Sequence, residues 1–188
     1  MGWEYSISQS LGVSAIVSAG LWVLTLVTAA LFFQVNPRWG RINDMVSVVF
    51  LVSMIPLALL LDQRLDTAPG WQRLLFLILC VVGVLIPAYG QTVLVLGRID
   101  FQQSTRFMIG FGGVGIWLIW VNTILLAGGA TGTFSVWAGI LTGAGIVMAI
   151  LLFLLKRSQH WLFYLSAGIL VIGLPVWAFA LGLEMLNA

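Results

Sequence analysis

The sequence predicts an all-α fold: a polytopic integral membrane protein with six transmembrane helices in one bundle, short loops and both termini extracytoplasmic. Two features of the 188-residue composition point to the class, since 61% of residues are hydrophobic and only 7% are charged. A soluble domain carries about a quarter charged residues, so this chain could not form a solvated surface. The third feature is that the apolar residues fall into six separate runs, each bounded by polar or turn-forming residues.

Each apolar run is long enough to span a bilayer, which takes about 20 residues at about 1.5 Å each. None contains Asp, Glu, Lys or Arg. Leu, Ile, Val or Phe at mid-span favours insertion by about 0.3 to 0.6 kcal/mol, whereas a charge opposes it by roughly 3 kcal/mol. The second run is the weakest, because Ser47, Ser53 and Pro56 interrupt it. We therefore expect one transmembrane domain over residues 1–188, with spans at 11–33, 45–61, 74–96, 107–127, 135–155 and 161–183.

The connections between these runs contain turn-forming residues. Residues 36–41 read Asn-Pro-Arg-Trp-Gly-Arg, the second connection contains Ala-Pro-Gly at 68–70, and residues 128–132 are glycine-rich. The pairs Asn-Pro, Pro-Gly and Gly-Gly in these connections mark turns and loops. The connections leave no room for an extramembrane domain.

The distribution of cations predicts the orientation. The first, third and fifth loops hold six cations and the second holds two, while the fourth loop and both tails hold none. Short loops rich in Lys and Arg stay in the cytoplasm. We therefore expect a multi-pass protein of the plasma or inner membrane. The six cations that set this orientation are Arg38, Arg41, Arg98, Arg106, Lys156 and Arg157.

Polar side chains inside the spans give one candidate ligand site. Asn122 is the most costly uncharged side chain in the hydrocarbon, and we expect it to bond a neighbouring helix. Pro56 and Pro175 each free a backbone carbonyl in the preceding turn, which adds acceptors in the outer half. At similar depth in that half, five residues are predicted to line a small outward-facing pocket: Ser14, Ser18, Trp22, Asn122 and Trp177. The alternative is that these groups only fix helix packing.

Glycines in the fourth and fifth spans form patterns with two interpretations. Residues 110–115 contain a literal GxGxxG, but a dinucleotide site requires that pattern in a turn between a strand and a helix. Inside a membrane span it instead predicts a flat face for close helix approach, as does the pair Gly139 and Gly143.

The sequence lacks the residues that several classes of function require. Ionisable groups in mid-membrane mark proton relays and ion paths, and the spans contain none, so a proton-coupled carrier is disfavoured. No carboxylate pair, Ser-His-Asp set, HExxH or CxxC is present, and the chain has one cysteine and one histidine. We expect no catalysis, no metal and no cofactor. The acidic loop residues are dispersed and are expected to be solvated charges: Asp44, Asp62, Asp66 and Asp100.

The remaining functions are binding and passive permeation. The leading hypothesis is a non-catalytic membrane protein that binds an apolar or lipid-like ligand or serves as a subunit of a larger membrane complex. The alternative is a passive channel or facilitator for a small solute. Expected partners are the lipid bilayer and other membrane subunits or further copies of the chain. A net charge of +2 without a basic stripe gives no reason to expect nucleic acid.

Overall fold

The computed structural model describes residues 2–36, 38–129 and 132–187, with side chains from residue 6 onwards. Within these ranges the chain is helical and contains no strand. Six helical stretches are long and apolar enough to cross a membrane, which confirms the predicted number and type of elements. The helices are α1 (Gly2–Gln34), α2 (Trp39–Asp62), α3 (Gly70–Val95), α4 (Phe101–Thr105), a 3-10 segment (Arg106–Gly110), α5 (Phe111–Gly128), α6 (Thr133–Leu154) and α7 (Trp161–Leu186).

Several helices begin earlier than the predicted spans. The fourth stretch begins at Phe101 rather than at residue 107, because a capping box starts α4 there: Asp100 accepts from the Gln103 backbone N–H, and the Gln103 side chain accepts from the Asp100 N–H. The first stretch likewise extends back to Gly2 instead of residue 11. Hydropathy detects the part of a helix that suits hydrocarbon, whereas capping and hydrogen bonding decide where the helix itself starts.

The six long stretches form a closed ring in chain order. Each packs against the next, with α3 contacting α5 and the 3-10 segment, and α7 closes the ring against α1. Neighbours are antiparallel, as shown by Gly12 near the start of α1 lying against Leu186 at the end of α7. We call the end with the α1–α2, α3–α4 and α6–α7 connections the odd-loop end, and the opposite end the even-loop end.

Large side chains fill the inside of the ring. The rings of Trp117 on α5 and Trp177 on α7 meet edge to face with centroids 6.1 Å apart. Both are almost fully buried, at 1% and 0% exposure. The other largest buried side chains of the helices come from five of the six long stretches: Leu11, Phe50, Met54, Leu57, Leu61, Leu118, Ile146, Leu174 and Leu181.

Glycines allow the closest helix contacts, which confirms the predicted role of the glycine patterns. A Cβ on Gly115 would lie 2.9 Å from the Gly143 carbonyl oxygen, and one on Gly143 would lie 2.6 Å from the Gly115 oxygen. Gly110 and Gly83 approach similarly, with 2.8 Å from either added Cβ to the other residue's oxygen. The backbones of α5 and α6, and of α3 and the 3-10 segment, therefore touch directly.

Polar contacts join the helices at the even-loop end. Arg73 on α3 forms an ion pair with Asp62 at the end of α2, at 3.0 Å. Glu184 accepts hydrogen bonds from the Ser135 hydroxyl at 2.6 Å and the Gly132 N–H at 3.1 Å. A carboxylate in this position satisfies one free N–H group at the start of α6 and complements the helix dipole.

Candidate functional site

Asn122 and Trp177, two of the five predicted site residues, are in direct contact inside the ring. The Trp177 Nε1–H donates to Asn122 Oδ1 at 3.1 Å, and Asn122 Nδ2 donates to the Leu118 carbonyl at 2.8 Å. This confirms the predicted interhelical hydrogen bond of Asn122. Trp117, which the sequence reasoning did not include, packs against the same indole.

Trp22 bonds a carbonyl that a proline has freed. Its Nε1–H donates to the Val171 carbonyl at 2.9 Å. In a regular helix that carbonyl would accept from the N–H four residues later, but Pro175 has no N–H. The Trp22 ring also packs against Phe50, with centroids 4.7 Å apart. The contact therefore ties α1 to α7 at the point where α7 lacks a hydrogen bond.

Ser18 and Ser14 face different surroundings from the Asn122 pair. The hydroxyls of Ser18 and Ser53 are 3.0 Å apart, and Ser18 also lies 3.3 Å from the Ser53 carbonyl, so this contact joins α1 to α2. Ser14 is half-buried, and no hydrogen bond joins it to the other predicted site residues in the described part of the chain. Four of the five residues thus divide among three separate interhelical contacts, and the role of all five in ligand binding stays a prediction.

A cavity of about 930 Å³ opens at the odd-loop end of the bundle. Its walls come from the end of α1, the start of α2, the end of α3 and the start of α4. Most of the lining is apolar, with three polar side chains contributed by α2. The lining residues are Phe32, Phe33, Gly40, Arg41, Asn43, Asp44, Leu94, Val95, Leu96, Gly97 and Phe101. We call this space the odd-loop cavity.

Local contacts fix the walls of the odd-loop cavity. Gly40 lets α2 start close to α1, since an added Cβ would lie 2.9 Å from the Phe32 ring. The Thr28 hydroxyl donates to Asn43 Oδ1 at 3.1 Å, which orients the Asn43 amide. Gly97 ends α3 with a φ of +67°, a conformation that glycine adopts without strain. The chain can therefore turn sharply between α3 and α4 and leave the space open.

The odd-loop cavity carries two opposite charges that do not pair with each other. Arg41 and Asp44 are three residues apart on α2, a spacing that places them on neighbouring turns. Yet the ion pairs found among the described residues are those of Arg73 with Asp62 and Asp66, at the even-loop end. Asp44 is half-buried and Arg41 is exposed. The cavity therefore offers a separate anion and cation beside apolar walls.

Sequence reasoning missed the odd-loop cavity because its residues served other interpretations. Arg41 was counted among the loop cations that predict the membrane orientation. Asp44 was expected to be a solvated loop charge, whereas in the structure Asp44 is half-buried within α2. One signal was available: a cation, an amide and an anion within four residues, directly before an apolar run. What the sequence lacks is any sign that residues 94–101 lie beside this segment.

Comparison with protein-family models, with curated proteins and with solved structures finds no significant match to this chain. A function for the chain is therefore inferred from two features of the bundle itself. These are the filled interior around Asn122 and Trp177 and the open, amphipathic odd-loop cavity.

Proposed function

We propose that this chain is a multi-pass protein of the cell membrane that binds one amphipathic, lipid-like molecule in the odd-loop cavity. The observation that carries the proposal is the cavity's composition: apolar walls from α1, α3 and α4, and charged groups from the start of α2. A molecule with an apolar chain and a polar head matches that division.

Support for the membrane setting comes from the surface of the bundle. Large apolar side chains are exposed along all six long stretches, among them Phe33, Leu75, Ile116, Leu141 and Ile172. Exposed apolar area of that extent is stable against lipid tails but not against water. The excess of loop cations at the odd-loop end favours a cytoplasmic position for that end.

The orientation can be tested with single cysteines in a Cys80→Ala background. Ser6 and Asn187 are exposed at the even-loop end, and Gln102 is exposed at the odd-loop end. We expect cysteines at 6 and 187 to react with an impermeant thiol reagent added to intact cells. A cysteine at 102 should react only after the membrane is opened. The reverse pattern would invert the orientation and place the odd-loop cavity outside.

Size and depth of the odd-loop cavity fit a lipid-like ligand. Pockets for small molecules measure about 300 to 1,000 Å³ and combine apolar walls with a few polar groups, and this cavity is of that kind at about 930 Å³. The cavity lies where α1 and α3 end and where α2 and α4 begin. An occupant could therefore keep its chain among Phe32, Phe33 and Leu94 while its head meets the polar side chains of α2.

Ligand binding is favoured over passive permeation because the inside of the ring is filled. A channel along the bundle axis would have to pass Trp117 and Trp177, which are buried and in mutual contact. The polar pair at that level is internally satisfied by the bond from Trp177 to Asn122. Passive flux through purified protein in liposomes would favour the channel instead.

The binding proposal is tested by asking what copurifies in mild detergent. We expect native mass spectrometry of the full chain to show a lipid adduct. Val95→Trp should remove it, because Val95 lines the cavity and an indole there would compete with the ligand's apolar chain for the same wall. Leu85→Trp is the matched control, since Leu85 is 48% exposed on the outside of the same helix. A wild-type protein without adduct, or equal adducts on both variants, would contradict the proposal.

A further inference from the structure

The charges in the odd-loop cavity specify more than an amphipathic ligand. Resting on the lipid-binding function proposed above, we infer that the occupant has a zwitterionic phospholipid headgroup, with its ammonium at Asp44 and its phosphate at Arg41. The class comprises primary and quaternary ammonium headgroups that share a phosphodiester. Anionic and uncharged headgroups are outside it.

Asp44 is the group in the cavity that favours a positively charged ligand. Its side chain is half-buried and lines the cavity, and within the described ranges no Lys, Arg or His nitrogen lies within 4 Å of it. Removing a carboxylate from water is unfavourable unless a partner compensates, and the side chain that hydrogen-bonds Asp44 is the uncharged amide of Asn43. An ammonium group entering the cavity adds a positively charged partner, whereas an anionic headgroup would bring a like charge to the same place.

Arg41 supplies the complementary group for the phosphate. On a helix, Cβ atoms three residues apart are about 5 to 6 Å from each other. Even so, the guanidinium of Arg41 makes no ion pair with Asp44 and stays exposed at the cavity rim. Arginine binds phosphate through several parallel N–H groups. By helical rise Arg41 lies about 4.5 Å nearer the start of α2 than Asp44 does, so the ammonium must tilt inward from the phosphate.

Aromatic walls favour the ammonium end of the headgroup as well. Phe32 and Phe33 meet edge to face with centroids 4.8 Å apart, and both line the cavity together with Phe101. Ring faces attract cations, quaternary ammonium groups included. Asp44 and the phenylalanines therefore act on the same charge, and neither distinguishes a primary from a quaternary amine.

The exposed cations around the odd-loop end should bind lipids with a different salt dependence from that of the cavity. Arg38, Arg98 and Arg106 are exposed there and lie outside the cavity lining. Exposed Lys and Arg residues draw anionic lipids to a protein surface in a salt-dependent way. Selection inside the cavity should instead persist at high salt, because Asp44 is half-buried and screening acts mainly on exposed charges. High salt thus separates the two kinds of lipid contact.

The test compares phospholipids that differ only in headgroup. Delipidated full-length protein in mild detergent is titrated, at high salt, with phosphatidylethanolamine, phosphatidylcholine or phosphatidylglycerol of identical acyl chains, and adducts are counted by native mass spectrometry. We expect both zwitterionic lipids to bind about tenfold more tightly than the glycerol lipid, as one unscreened charge contact allows. Asp44→Asn should bring that ratio close to one, and Asp44→Glu should keep most of it.

Matched variants make each outcome decisive. Asp66→Asn changes an exposed carboxylate at the even-loop end and should leave the ratio unchanged. Arg41→Gln should weaken both zwitterionic lipids. A wild-type ratio near one, or a ratio that survives Asp44→Asn, would overturn the headgroup inference and leave lipid binding standing if Val95→Trp still abolishes the adduct. If none of the three lipids binds to the wild-type protein, the proposed function itself is overturned.

Discussion

The contact between α5 and α6 depends on Gly115 and Gly143, and replacing either with alanine should force the two helices apart. A Cβ at 115 would lie 2.9 Å from the Gly143 carbonyl oxygen and 2.9 Å from the Ile146 Cβ. A backbone oxygen cannot rotate away as a flexible side chain can. Gly112 on the same helix provides the control, because its added Cβ would meet Ile150 at an ordinary 3.5 Å.

The expected difference follows from comparing Gly115→Ala with Gly112→Ala. Both variants gain the same helix propensity, about 1 kcal/mol, so that contribution cancels. What remains is overpacking at position 115, about 1 to 3 kcal/mol of lost unfolding free energy. Titration with SDS, followed through the fluorescence of the nine tryptophans, measures it. If the two variants agree within about 0.5 kcal/mol, the scatter of harmless substitutions, close backbone contact does not stabilise the ring.

Two further predictions concern hydrogen bonds inside the ring. Asn122→Leu removes the acceptor of Trp177 and should lower the unfolding free energy by about 1 kcal/mol, because interhelical bonds in membranes average about 0.6 kcal/mol and a buried indole N–H is left unpaired. A loss larger than that of Gly115→Ala in the same SDS titration would show a role beyond packing. Trp22→Phe removes the donor to the carbonyl freed by Pro175 and should cost about 1 kcal/mol. In a Pro175→Ala background the new N–H can take that carbonyl, so the hydrogen-bond part of the loss should disappear, and an unchanged loss would mean that only ring packing matters.

Depth in the bundle could be predicted from the sequence, whereas direction around each helix could not. Counting residues along antiparallel spans placed Asn122 and Trp177 at one level, and they do bond each other. The same count put Ser18 nearby in depth, but its hydroxyl faces Ser53 on α2. Apolar residues surround every helix of a membrane bundle, so periodicity does not show which face points inward.

The number of helices was predictable because a charge in hydrocarbon is expensive and an apolar run of about 20 residues is rare otherwise. The odd-loop cavity was not, because it joins residues 32–44 to residues 94–101 through the packing of α2 on α3. The local sequence of neither segment indicates that the other lies beside it. The sequence therefore predicts Arg41 and Asp44 to be ordinary loop charges, whereas α2 begins at Trp39 and contains both residues.

Because α1 packs against both α2 and α7, its two neighbours are synthesised at very different times. Helix α1 meets α2 as soon as that helix emerges, through the Ser18 contact, but its other neighbour, α7, is made after the other helices described above. Until then the Trp22 indole N–H has no Val171 carbonyl to bond, and Gly12 has no helix lying against it. A chain interrupted before α7 would therefore be an open arc with two uncovered faces, one on α1 and one on α6.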